Sequence, residues 1–131
     1  MLRYNAILLI DDDEEDQEIF MDALKEVDPL LLCAVANDGE EAMAILNADA
    51  LVKPDLIFID MNMPKLNGKQ VLQALKTSGT LRDVPVIMYS TFFGAKDVLE
   101  IQKMGAAHHM VKATKFSELC ASLRTILSSP W

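Results

Sequence analysis

Apolar side chains recur along this chain in two rhythms. Short runs of strand length, "AILLI" (6–10), "LLLCAVA" (30–36), "LIFI" (56–59), "PVIMYS" (85–90) and "AHHMVK" (107–112), alternate with longer stretches of helical period. That period is clearest in Ile19, Phe20, Ala23, Leu24 and Val27, and again in Phe116, Leu119, Cys120, Leu123 and Leu127. Further helices are expected from about Glu40 to Ala48, from Lys69 to Ser78 and from about Ala95 to Met104, with Gly105 as a stop. Five strand–helix pairs in succession predict an α/β domain built on a doubly wound, parallel five-stranded sheet. The first, third and fourth runs are the most buried in appearance, as in strands covered on both faces. No repeat, low-complexity segment or linker interrupts the pattern, and the closing "SSPW" reads as a frayed end.

The 131 residues suffice for one domain and a single sizeable core. Although 51% of them are hydrophobic, no run approaches the roughly 18 needed to cross a bilayer. No signal peptide precedes the first strand, so a soluble cytoplasmic protein is expected. A net charge of -8 repels phosphate backbones and anionic membranes, which argues for protein partners rather than nucleic acid or lipid. Cys33 and Cys120 lie in apolar stretches without metal-ligand spacing and read as reduced core thiols.

The informative charge is local. In "ILLIDDDEED" a buried-looking strand runs directly into six consecutive acidic residues, Asp11 to Asp16. Ligands of open parallel sheets bind beyond the carboxyl ends of the strands, where the strand order reverses. Asp11 and Asp12 end the first strand, Asp60 the third, Ser90 the fourth and Lys112 the fifth, so all five should converge on one edge. Carboxylates so close cannot all stay ionised without a cation, and a hard, oxygen-seeking one such as Mg2+ fits them. Asp13, Glu14, Glu15 and Asp16 are expected only to favour the positive N-terminus of the first helix.

Taken together, "ILLIDDD", "LIFIDMNMPKLNG", "VIMYST" and "GAAHHMVK" resemble the receiver domain of two-component response regulators, across nearly the whole chain (1–131). An aspartate followed by Met63-Pro64 and then Gly68, with Ser90 and Lys112 behind it, is the specific part of the likeness. The resemblance implies flavodoxin-like strand order 2-1-3-4-5. It implies a phosphoacceptor, not an enzyme acting on a separate substrate, that catalyses its own phosphorylation and slow dephosphorylation. Asp60 would take a phosphoryl group from a sensor histidine kinase or a histidine phosphotransfer protein. Asp11, Asp12, Asp60 and the carbonyl of Asn62 would hold Mg2+, while Lys112 and Ser90 would meet phosphoryl oxygens. A downstream protein would read the result. Without the phosphoryl group in view, Pro64 and Gly68 only shape a loop, and Ser90 could be a strand-end turn residue.

Other readings fare worse. A flavin site wants a phosphate-cradling loop after the first strand, and this loop is acidic. An aspartate-nucleophile phosphatase wants a second aspartate two residues on, where this chain has Asn62. A receiver-like module that only docks on proteins would have no need of a carboxylate cluster that costs stability without metal. A phosphorelay shuttle stays open. Two departures from the family pattern stand out. His109 occupies the position of the switch aromatic, either as a switch or as a polar edge-strand residue, with His108 on the opposite face. Ala113 replaces the proline that usually follows the lysine, so the Lys112–Ala113 bond is expected to be trans and the lysine to sit less rigidly over the phosphate. Phe92 and Phe93 lie in the loop after Ser90 as a contact surface, one of them free to tuck into the core.

Overall fold

The computed structural model describes residues 4–47, 53–63, 67–78 and 81–131. In chain order the elements are β1 (Ala6–Ile10), α1 (Glu14–Val27), β2 (Leu32–Ala36), α2 (Gly39–Asn47), β3 (Leu56–Asp60), α3 (Gly68–Thr77), β4 (Val86–Ser90), α4 (Ala95–Lys103), β5 (His108–Val111) and α5 (Phe116–Leu127). All strand pairings are parallel, in the order β2-β1-β3-β4-β5.

The sheet sorts its side chains by alternation. Ile7, Leu9, Phe58, Ile87 and Tyr89 pack with Phe20, Leu24, Leu123 and Leu127 of α1 and α5. Leu8, Ile10, Ile57, Ile59 and Met88 meet Ala42, Val71, Leu72, Leu75 and Ile101 of α2, α3 and α4. The central strands β1, β3 and β4 are buried at every position, whereas the edge strands β2 and β5 keep exposed residues. Central position, with a strand on each side and helices on each face, accounts for that burial, since β2 is as apolar in sequence (LCAVA) and still exposes residues at the edge. The scattered methionines include four core residues, Met61, Met63, Met88 and Met110.

The boundaries predicted from the pattern shift by a residue or two. β2 begins at Leu32 rather than Leu30, and β3 takes in Asp60. Ser78 and Met104 are helix caps rather than helical residues, and Gly105 ends α4 with φ 101°, a left-handed angle that glycine adopts without a side-chain clash. Ala48 and Pro64 lie outside the described residues. The chain end contradicts the frayed-tail expectation. Trp131 donates from Nε1 to the Ile126 carbonyl (2.8 Å) and from its backbone N–H to the Tyr4 hydroxyl (3.0 Å), which in turn donates to the Ser129 carbonyl (2.7 Å). Its indole also stacks on His108, centroids 4.8 Å apart. An aromatic with a polar handle can tie down a terminus that small polar residues alone would leave loose.

For the site, the decisive feature is the reversal. The chain leaves β1 for β2 on one side and returns to β3 on the other, so the carboxyl ends of adjacent β1 and β3 open a crevice between diverging connections.

Candidate functional site

Asp11 follows β1 directly and is fully buried. Its backbone N–H donates to the Ala36 carbonyl (3.0 Å), its own carbonyl accepts from the Gln17 side chain (2.6 Å), and its Oδ1 accepts from the Asp13 N–H (3.0 Å). Asp60, the last residue of β3, is 4% exposed and accepts the Asn62 N–H at Oδ1 (3.1 Å). Asp12 is exposed beside them. One carboxylate oxygen from each of Asp11, Asp12 and Asp60 lies within 4.8 Å of the others. The cluster opens to solvent through a cavity of about 350 Å³ lined by Asp12, Asp13, Asp16, Asp60, Asn62, Thr91 and Lys112.

Lys112 leaves β5 with its N–H on the Ser90 carbonyl (2.7 Å), and no peptide bond among the described residues is cis, so Lys112–Ala113 is trans as expected. The ammonium is surrounded. Its Nζ lies 2.8 Å from Asp16 Oδ2, 3.3 Å from Asp11 Oδ2 and 3.4 Å from Asp60 Oδ2, and 5.0 Å above the Tyr89 ring. The ammonium thus lies in a cradle of three carboxylates and an aromatic face. The expectation that Asp16 serves only the helix terminus is corrected here. Asp13 caps α1 as the helix-terminus reading requires, accepting from Glu15 and Asp16 N–H groups. Asp16, however, turns its carboxylate to Lys112.

The charges are unbalanced. Burial pushes the Asp11 carboxyl up to about 6 and the Asp60 charge adds to this, against the pull of the Asp13 N–H and Lys112. Burial also works against the charge of Lys112, but Asp16, Asp11 and Asp60 outweigh it and lift its pKa above the ordinary lysine range. One ammonium against Asp11, Asp12, Asp16 and Asp60 leaves a surplus of negative charge on oxygen donors only. That donor set fits a hard divalent cation and not a soft one.

Ser90 is fully buried, and its hydroxyl is used locally: Oγ donates to the Phe92 carbonyl (3.0 Å) and accepts from the Asn62 side-chain amide (3.1 Å). The turn-residue alternative thus describes the geometry of this state, with the hydroxyl facing the site through Asn62. Asn62 therefore bridges Asp60 and Ser90, its backbone N–H on the one and its side-chain amide on the other. His109 is half-buried against Phe93, ring centroids 4.9 Å apart, while Phe92 is 75% exposed. Of the two loop aromatics, Phe93 tucks in and Phe92 forms the surface. Cys120 is a buried free thiol and Cys33 a half-buried one.

Gly68 does more than shape a loop. A Cβ built on it would lie 2.5 Å from the Asp60 carbonyl oxygen and 2.8 Å from the Met61 Cα, both backbone atoms with no freedom to swing aside. The start of α3 thus presses on the peptide that carries Asp60, an approach open only to glycine. Gly68→Ala should lower stability by about 2 kcal/mol, as forced overpacking does. Urea unfolding checks this; a midpoint unchanged from the parent would show that the Asp60 peptide yields freely.

Against known proteins, the family model of the response regulator receiver domain matches residues 7–124. Response regulator Rcp1 of Synechocystis is 28% identical over 94% of this chain and 86% of its own length. Among solved structures, the phosphorylated cyanobacterial phytochrome response regulator RcpA superposes with a TM-score of 0.83 at 28% identity, covering 95% of this chain and 91% of that one. The Mn(2+)-bound form of Rcp1 superposes with a TM-score of 0.81 at 26% identity, covering 95% and 92%. The chain spans about half the length of several transcriptional regulators it also matches, among them CpxR of Escherichia coli, 35% identical over 94% of this chain and 49% of that one.

Proposed function

This chain belongs to the response regulator receiver family of two-component signalling, and from that premise we propose that it is a phosphoacceptor switch in which Asp60 takes a phosphoryl group from the phosphohistidine of a sensor kinase or a histidine phosphotransfer protein. The observation that carries the reading is a nearly buried carboxylate at a strand end, facing solvent through one cavity and flanked by two further carboxylates and an ammonium.

In the transfer, a carboxylate oxygen of Asp60 forms a bond to phosphorus as the P–N bond of the donor breaks. The leaving imidazole nitrogen keeps the electron pair and takes up a proton. Asp11, Asp12, Asp60 and the Asn62 carbonyl would hold Mg2+, which when bound supplies charge neutralisation to the phosphoryl oxygens. Lys112 would give one of its three N–H donors to a phosphoryl oxygen. Ser90 would exchange the Phe92 carbonyl for another, releasing the loop that carries exposed Phe92 to a downstream protein. The domain does no chemistry on a separate substrate; it accelerates its own phosphorylation and slow hydrolysis by positioning and electrostatics.

Incubation with a small-molecule phosphodonor should add one phosphoryl group, labile to hydroxylamine as an acyl phosphate is, with magnesium present and not with chelator. A protein that stays unlabelled in magnesium, or that labels equally in chelator, would defeat the reading.

A further inference from the structure

In the transfer proposed for Asp60, the Lys112 ammonium meets the phosphoryl oxygens. Asp11 and Asp60, however, are also candidate ligands of the divalent cation, and with the ion in place Lys112 would lose two of its three ionic partners and gain a like-charged neighbour. Asp16 is the partner outside that metal cluster, and it makes the shortest of the three contacts, 2.8 Å. We propose that Asp16 is a positioning residue: from the first turn of α1 it anchors the Lys112 ammonium at the site while Asp11 and Asp60 are committed to metal, leaving its other donors for the phosphoryl group. That role rests on the phosphoacceptor function proposed for Asp60.

The local structure is built for this. The Asp13 carboxylate accepts the Asp16 N–H (3.1 Å) as it caps α1, which fixes the backbone from which the Asp16 side chain reaches inward. The Lys112 side chain is 13% exposed and that of Asp16 36%, so the pair sits at the rim, shielded enough to matter and open enough for an incoming phosphoryl group. Tyr89 floors the ammonium from beneath and limits where it can go. Opposition between a competitor role and an anchor role is decided by donor count: an ammonium has three N–H groups, and one spent on Asp16 leaves two.

The test tracks the Lys112 ammonium by 15N NMR through a magnesium titration, with the signal assigned by its loss in Lys112→Arg. In the parent it should persist from the metal-free to the saturated protein. In Asp16→Asn it should be present without metal, where Asp11 and Asp60 still hold it, and vanish into fast solvent exchange as magnesium is added. Phosphodonor labelling of Asp16→Asn should slow about tenfold at saturating magnesium with the half-saturating donor concentration unchanged, and Asp16→Glu should recover part of the rate. An ammonium signal that survives magnesium in Asp16→Asn, or labelling as fast as or faster than the parent, would overturn the proposal. Failure of the parent itself to label would count against the phosphoacceptor reading instead, and the ammonium titration does not depend on it.

Discussion

Asp60→Asn is expected to abolish phosphoryl uptake while leaving the fold intact. The amide has the volume of the carboxylate, and its oxygen can still accept the Asn62 N–H that now sits 3.1 Å from Asp60 Oδ1. What disappears is the anionic nucleophile, and loss of a nucleophile removes labelling on the order of a thousandfold or more. The neighbours do not substitute. Asp11 is fully buried, and burial pushes its carboxyl up to about 6, which disfavours the anion it would need to attack. Asp12 is exposed at the mouth, without the backbone anchor that aims Asp60.

Stability should move the other way. Removing one of several clustered like charges relieves repulsion in the metal-free protein, so the variant should unfold at the same denaturant concentration as the parent or slightly above it. Intact-mass measurement after phosphodonor treatment and urea unfolding separate the two effects. A phosphorylated Asp60→Asn protein would remove Asp60 from the acceptor role. A variant that loses label only because it unfolds would leave the residue structural.

The sequence carried the centre of this fold in its apolar runs and the site in what ends them. β1, β3 and β4 are covered on both faces, so their composition is dictated by burial alone, and the residues next in line, Asp11, Asp60 and Ser90, follow from the placement rule for parallel sheets. Edge strands obey a weaker constraint, and the boundaries slipped furthest at β2. Contacts fixed by tertiary approach left no local trace. Asp16 and Lys112 meet across 96 residues of sequence, and an acid in the first turn of a helix already has a sufficient local reason to be there. Gly68 is legible as a loop glycine, but its pressure on the Asp60 peptide appears only when α3 is packed beneath β3. Trp131 reads as an exposed end residue until Tyr4, Ile126 and His108 are brought beside it.

The same long-range cradle predicts the largest stability effect. Lys112→Met keeps the length and the apolar stem of the side chain but strips away the cation, the only one among the described residues within ion-pair distance of Asp11, Asp16 and Asp60. Breaking a buried pair by removing one partner costs about 3 kcal/mol or more, because the partner's charge is left uncompensated. The pH dependence identifies the cause. Asp11 has a carboxyl pKa raised to about 6 from an ordinary 3.8, so its contribution to stability is full below about pH 4 and is lost as pH rises through 6. Lys112 lowers that pKa in the parent, and without it the loss should extend to higher pH and grow. Lys112 itself has a raised pKa, so its contribution is present throughout the acid and neutral range and absent from the variant. Metal-free Lys112→Met should therefore match the parent most closely near pH 4 and fall below it by about 3 kcal/mol at pH 7.5. Magnesium, supplying charge where the ammonium was, should return more stability to the variant than to the parent, since a ligand stabilises in proportion to its preference for the folded state. Urea titrations at pH 4, 6 and 7.5 with and without magnesium measure all three. A gap that stays constant across that range would show that ionisation of Asp11 is not what makes the ammonium necessary.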